Sequence, residues 1–319
     1  MATTAKSTTL QLSEEQDSPR YSFYKDIAQR LWKSPSARLG GFLVIIILVI
    51  SIGVPLLDNY DARRDRNLGA RYAEPDCVIG LFNGANEESA FTCDYPFGAD
   101  KNGRSIMRRV GQGMSVSLVA GLFSVALALS VGTVIGLVSG YFSGWVDSVS
   151  MRLIDVLLAF PSLLLAIALV TVAGPGLRNG MIAVAITQIP IYARLSRSMA
   201  ISLRNSEFVL AARSVGADHF QIILKHIMPN SLAPLIVQST LGLGTAVVET
   251  AALGFLGLGQ QPPYPELGKM LADSQESLAS GKWWVMLFPG LAIVLMVLGF
   301  NLLGDGLRDA LDPRLRGSD

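Results

Sequence analysis

The chain has 319 residues, of which half are hydrophobic and 16% charged, and its formal net charge is +1. Water-soluble domains carry about 25% charged residues, so this composition excludes an ordinary soluble enzyme and places the chain in a membrane. The near-neutral charge gives no basic field for nucleic acid, and no basic stretch alternates with stacking aromatics.

Residues 1–20 are polar and rich in Thr, Ser, Gln and Glu, which predicts a disordered cytoplasmic tail without a secretory signal. Over 21–38, Phe23, Ile27 and Leu31 share one face while Lys25, Arg30 and Lys33 lie elsewhere, the pattern of an interfacial helix, broken at Ser34-Pro35. No charge occurs between Arg38 and Asp58. That run, 39–57, is a first transmembrane helix, since about 20 apolar residues cross a bilayer. Residues 58–109 are polar, with scattered Gly, Asn and Pro, and read as an irregular extracytoplasmic loop. It contains Cys77 and Cys93. A disulfide closing the loop and two free thiols are both open readings, and the absence of histidine from the loop argues against zinc.

Residues 110–305 are expected to form a core of five further spans. The charge-free run Val110–Val146 exceeds one crossing, so Gly136, Gly140 and Gly144 mark its turn and the second span covers about 113–138. A third segment begins near Asp147 and runs to Ala173 with a kink at Pro161, and Arg152 and Asp155 read as a boundary pair. The turn Gly174-Pro175-Gly176 leads to a fourth, 180–203, whose basic end YARLSRSMAISLR carries the helix past the bilayer. The fifth runs from Pro229 to Val248, and the sixth from Trp283 to Leu303 opens on the interfacial pair Trp283-Trp284. Residues 306–319 form a second cytoplasmic tail. Lysine and arginine place both tails and the loop after span four in the cytoplasm, whereas Arg104, Arg108 and Arg109 argue the other way.

That loop, 204–229, holds a capped helical hairpin. Ser206 is an N-cap with Glu207 in the first turn, and Gly216 suits a left-handed C-cap. Asp218 caps a second helix with Gln221 closing the box, and Pro229 is expected to stop that helix at Met228. Ala211 and Ala212 leave little side-chain bulk, which suits docking into a groove on another protein and equally suits a solvated connector.

The chain has no G-x-x-x-x-G-K-[ST], G-x-S-x-G or H-E-x-x-H, so no P-loop, hydrolase elbow or metalloprotease site is expected. His219 and His226 both sit in the hairpin and read as packed or solvated. Glu249 is the clearest ionisable candidate inside a span. It is open between a translocation path or gate, with Pro161 as a second such candidate, and a hydrated place at the outer interface.

The hairpin resembles the cytoplasmic EAA loop of permease subunits of ABC importers, with Ala211, Ala212, Gly216 and Pro229 matching and Leu210 standing where the family has glutamate. Arg213 and the ending His226-Ile227-Met228-Pro229-Asn230 resemble the peptide/nickel branch. Gly98, Asp100, Gly103 and Arg104, with Ser105 in place of the usual acid, and the segments DVLLAFPSLLLAI, AALGFLGLGQQPP and FNLLGDGLRDALDPRLR are similar to dipeptide-permease C subunits. The resemblance implies an all-α integral membrane protein of the type I importer permease fold, with six transmembrane helices. It also implies a transport subunit rather than an enzyme, coupled through Glu207, Ala211, Ala212, Arg213, Gly216 and Pro229 to partner ATPases. Those partners would hold the ATP and Mg, while this chain binds no cofactor. The other partners implied are a second homologous permease, an extracytoplasmic peptide-binding protein and the lipid bilayer of the cell membrane. The cargo implied is a dipeptide or short oligopeptide; nickel, glutathione or another small solute is the alternative. A secondary transporter is a rival, opposed by the lack of a visible internal repeat and the scarcity of acids within the spans.

Overall fold

A computed structural model describes residues 31–57, 61, 65–76 and 94–311. The tail of 1–20, most of the surface helix of 21–38, both cysteines and residues 312–319 lie outside the described residues. Within them the regular secondary structure is helical, apart from one isolated bridge pairing Ala99 with Ser105.

Helix α1 spans Pro35–Leu57. Ser34 interrupts the preceding helical turn, its hydroxyl accepts from the Ala37 N–H, and Pro35 sits where a missing N–H costs nothing. Then follow α2 (Ile106–Phe142), α3 (Gly144–Leu158), α4 (Ser162–Ala173) and α5 (Leu177–Leu203). The hairpin contributes α6 (Glu207–Ser214) and the start of α7 (His219–Phe255). Two short helices, α8 (Leu267–Asp273) and α9 (Gln275–Ala279), precede α10 (Trp284–Leu311).

Helices α1, α2, α7 and α10 are each long and apolar enough to cross a bilayer. The third expected segment is not one kinked helix: α3 and α4 meet at 90°. A residue before proline avoids the helical region, and Pro161 itself is extended, so Phe160-Pro161 turns the chain before α4 restarts at Ser162. Taken as a broken pair, α3 and α4 would make one further crossing. The fourth expected span is helical as α5 but is not among the helices apolar enough to qualify alone. Arg178, Arg194 and Arg197 lower its hydropathy, while Ala183, Val184 and Tyr192 are buried with residues of α2, α4 and α7.

The glycines of α2 correct a sequence expectation. Gly136 and Gly140 do not turn the chain; with Gly132 they form one face of α2, four residues apart, against α5. A Cβ at Gly132 would lie 2.7 Å from the Ile189 carbonyl oxygen, and one at Gly140 would lie 2.6 Å from that of Arg197. Small residues at this spacing let two helix backbones approach in lipid, where burial gives no hydrophobic gain. The turn itself falls at Ser143 and Gly144, with φ of 55° and 61°.

Three apolar clusters stack along the molecule. At one end, Ile106, Met270 and Trp284 join α1, α2, α8 and α10 beneath the loop that precedes α2. A middle cluster joins α2, α4, α5 and α7. At the other end Leu137, Tyr141, Val209, Ile222 and Ile227 hold the hairpin onto α2 and α5. The two ends are called here the cap end and the hairpin end.

Candidate functional site

The hairpin is rigid for local reasons. Ser206 occupies the N-cap position of α6, but its hydroxyl donates backward to the Leu203 carbonyl at 2.6 Å instead of capping. The C-terminus is a Schellman motif. Gly216 has φ +88°, its N–H donates to Arg213 O, and the Ala217 N–H donates to Ala212 O. Asp218 caps α7 as expected, its carboxylate accepting from the Gln221 N–H at 2.6 Å. Pro229 does not stop the helix. The turn before it, Ile222–Ile227, is a π-helix whose wider ring lets the Met228 N–H donate to Ile223 O, and Pro229 then lies in the first turn of the resumed α-helix.

Of the predicted docking residues, Glu207, Ala211, Arg213, Gly216 and Pro229 are exposed, whereas Ala212 turns inward beside the buried Val209. Sequence reading missed the apolar residues on the outside, among them Phe208, Val215 and Phe220, of which Val215 is 87% exposed. Helical spacing puts Phe208, Ala211 and Val215 on one face of α6. Exposed apolar residues are thus gathered on the outside of the capped hairpin. It also missed how the hairpin is tied down. The Tyr141 hydroxyl and His219 Nδ1 are 2.8 Å apart, and the rings of Tyr141 and Phe142 both meet the His219 ring edge to face. The partners stand 78 positions apart, so no local pattern announces the contact.

Beside the hairpin, α5 clamps α3 through charge. Arg197 pairs with Asp147 through two contacts of 2.5 and 2.7 Å, and Arg194 with Asp155 at 2.7 Å. Asp155 therefore pairs across helices, not with Arg152 as expected. Arg204 donates to Ser143 and to the Gly140 carbonyl, closing the α2–α3 turn.

Glu249 lies in α7 and is buried, which removes the hydrated-interface reading. Thr187 of α5 donates to its carboxylate at 3.2 Å, and Ser162 at the start of α4 lies beside it. Ser162 directly follows Pro161, so the two path candidates meet at one place, where the break between α3 and α4 touches α7. Among the described residues no three His, Cys, Asp or Glu side chains gather closely enough to hold a metal ion.

At the cap end, the loop before α2 is organised by Asp100. One carboxylate oxygen accepts from the backbone N–H of Asn102 and Arg104, and the other pairs with Arg109 at 3.0 Å. Arg108 reaches Asp65 at 3.9 Å. A second acid, Glu266, escaped the sequence reading. It has no exposed surface and caps α8, accepting from the N–H groups of Gly268 and Lys269 at 2.9 and 2.8 Å. Gly254 makes room for it, since a Cβ there would overlap the carboxylate. Burial pushes the Glu266 carboxyl up to about 7 from an ordinary 4.5, against the pull of the two N–H donors and of Lys269.

The sign of the resulting pH dependence follows from linkage. Glu266 holds its proton more tightly folded than unfolded, so its contribution is full below pH 4.5 and is lost as pH rises through about 7. The loss approaches about 3 kcal/mol, at 1.36 kcal/mol per pH unit of displacement. Glu266→Gln is expected to flatten the melting temperature of the purified protein between pH 5 and pH 8. A variant with the wild-type slope would show that Glu266 does not titrate in that window.

Comparison with known proteins places these features. Residues 132–317 match the family model described as binding-protein-dependent transport system inner membrane component, and residues 22–75 match the N-terminal TM domain of oligopeptide transport permease C. The chain is 46% identical over 293 residues to the dipeptide transport system permease protein DppC of Alkalihalophilus pseudofirmus, covering 92% of this chain and 90% of that one. It is 41% identical over 299 residues to the glutathione transport system permease protein GsiD of Escherichia coli O1:K1, covering 94% and 92%. Among solved structures, an inward-facing MetNI methionine ABC transporter matches with a TM-score of 0.53 at 19% identity, covering 65% of this chain and 98% of that one, a likeness of fold. The chain belongs to the inner membrane components of binding-protein-dependent transport systems, the permease subunits of ABC importers.

Proposed function

We propose that this permease forms half of a translocation path for dipeptides or short oligopeptides. A second homologous permease supplies the other half, two cytoplasmic ATPases hold ATP and Mg, and an extracytoplasmic peptide-binding protein delivers the cargo. The chain itself binds no cofactor and catalyses no reaction. The observation that carries the reading is the hairpin: its underside is buried on α2 and α5, and its outer side bears Phe208, Ala211, Val215 and Gly216 in the open. A part fixed below and bare above suits transmission of force from a partner to the spans.

The hairpin end then faces the cytoplasm, with both termini on that side and six spans once α5 and the α3–α4 pair are each counted. Arg104, Arg108 and Arg109 oppose this orientation, and the basic residues of the N-terminal stretch, the hairpin loop and the C-terminal tail outnumber them. Glu249 with Thr187 and Ser162 is the gate candidate. It ties α7 to α5 beside the start of α4, so rocking of the broken pair about Pro161 changes the surroundings of this contact.

The test is uptake into proteoliposomes holding both permeases, the ATPases and the binding protein. Labelled dipeptide is expected to accumulate only with ATP and binding protein, with unlabelled dipeptides competing and glutathione not. The relatives named for glutathione transport motivate the second reading, and glutathione displacing dipeptide would favour it. Uptake by this chain alone, driven by an ion gradient, would overturn both.

A further inference from the structure

The hairpin is continuous in the chain with α5 and with α7, but it meets α2 only through side chains. Arg204, at the α5 end of the loop, donates to the Gly140 carbonyl and to Ser143. His219, at the α7 end, stands 2.8 Å from the Tyr141 hydroxyl, and its ring meets those of Tyr141 and Phe142 edge to face at 5.6 and 5.7 Å. Both ends of the hairpin are therefore tied to the end of α2. Between the two ties, Leu137 and Tyr141 pack on Val209, Ile222 and Ile227. Apolar contact is non-directional and lets surfaces slide, whereas a hydrogen bond and an edge-to-face ring pair hold one register.

Toward α7 the connection is less regular. Ile222–Ile227 is a π turn, and Pro229 after it donates no N–H. A hairpin held by this segment alone would be free to lift from α2 and follow α7. We infer that Tyr141 and His219 are positioning residues for transport: their contact makes the hairpin and α2 move as one body when the partner ATPases displace the hairpin. The inference rests on the importer reading above. His219 is exposed, so a change there reaches the outer surface as well, whereas Tyr141 is buried and isolates the contact.

The experiment uses the full importer in proteoliposomes and reads, in the same vesicles, dipeptide taken up and ATP hydrolysed. Tyr141→Phe keeps the ring and removes the hydroxyl. It is expected to lower uptake per ATP about fivefold, the scale of one lost hydrogen bond, with wild-type recovery of the ATPases. His219→Leu is expected to match it, and His219→Asn, whose amide oxygen stands near the place of Nδ1, to recover most of the loss. A purely structural role does not move this ratio selectively, since an unstable permease loses uptake and ATPase recovery together. Wild-type uptake per ATP in both Tyr141→Phe and His219→Leu overturns the positioning role, while the importer reading survives if binding protein still stimulates uptake. Loss of ATPase recovery in Tyr141→Phe assigns the pair to folding and overturns the positioning role alone. Failure of binding protein to stimulate the wild-type importer overturns the importer reading and this inference with it.

Discussion

Leucine in place of Gly136 is expected to part α2 from α5 and leave little of the protein folded in the membrane. A Cβ at this position runs into the Ala193 carbonyl and lies 2.7 Å from the Ser196 Cβ, so the obstacle includes backbone, which cannot swing aside like a side chain. Overpacking a core costs about 1–3 kcal/mol when side chains can adjust, and a rigid obstacle takes the cost to the upper end or beyond. Because α2 against α5 is the most extensive helix pairing among the described residues, the loss spreads into the middle and hairpin clusters that both helices line. Gly41→Leu is the matched control, since a Cβ at Gly41 meets nothing within 4 Å. Detergent-extracted monodisperse protein, followed by its melting temperature, reads the difference. Equal stability for the two variants would remove the close-packing account of the glycine face.

Tryptophan at Ala211 is expected to abolish uptake while the chain still folds. Ala211 is exposed on the face that carries Phe208 and Val215, and nothing in the hairpin's own packing depends on it. An indole there obstructs a partner without disturbing the Tyr141–His219 contact below. Hot-spot residues at interfaces are worth about 2–4 kcal/mol, which at 1.4 kcal/mol per tenfold corresponds to roughly 30- to 1,000-fold in affinity. Co-purification of the ATPases should fall accordingly, and ATP-driven uptake with it. Tryptophan at the adjacent Ala212 is a contrasting control. That side chain points into the hairpin, so the variant is expected to lose stability as well. Gly216 is a poorer probe of docking, because a bulky residue there adds backbone strain at φ +88°, whatever touches it from outside. Normal ATPase recovery and normal uptake for Ala211→Trp would end the docking role of α6.

The elements readable from sequence were those whose cause is local. Long charge-free runs found α1, α2, α7 and α10, because crossing a bilayer is a requirement on composition alone. Gly216 and Asp218 found the hairpin's caps, because a left-handed φ and an orphan N–H each need a particular residue type at a particular position. What escaped depends on a partner distant in the chain. Gly136 and Gly140 looked like a turn because a glycine says only that the backbone is permissive, and its use as a contact with Ala193 and Arg197 is visible only when α5 is in place. Pro229 looked like a stop because the π turn that accommodates it has no sequence signature. In the candidate site, Ala211 and Ala212 could not be told apart, since an eight-residue helix is too short for periodicity to say which face is inside. Tyr141 and the partner of Asp155 were invisible because their contacts are made by residues far away in sequence, and the burial of Glu266 depends on Gly254, although its cap bonds to Gly268 and Lys269 are local.

Helix α2 runs 37 residues without a break, about 55 Å at 1.5 Å per residue, against a hydrocarbon thickness of about 30 Å. Its first turn carries Arg109, paired with Asp100 of the preceding loop, and its last carries Tyr141 beneath the hairpin. One continuous helix therefore spans from the loop at the cap end to the hairpin at the other. A tilt of α2 displaces both ends together, without a relay of loops between them.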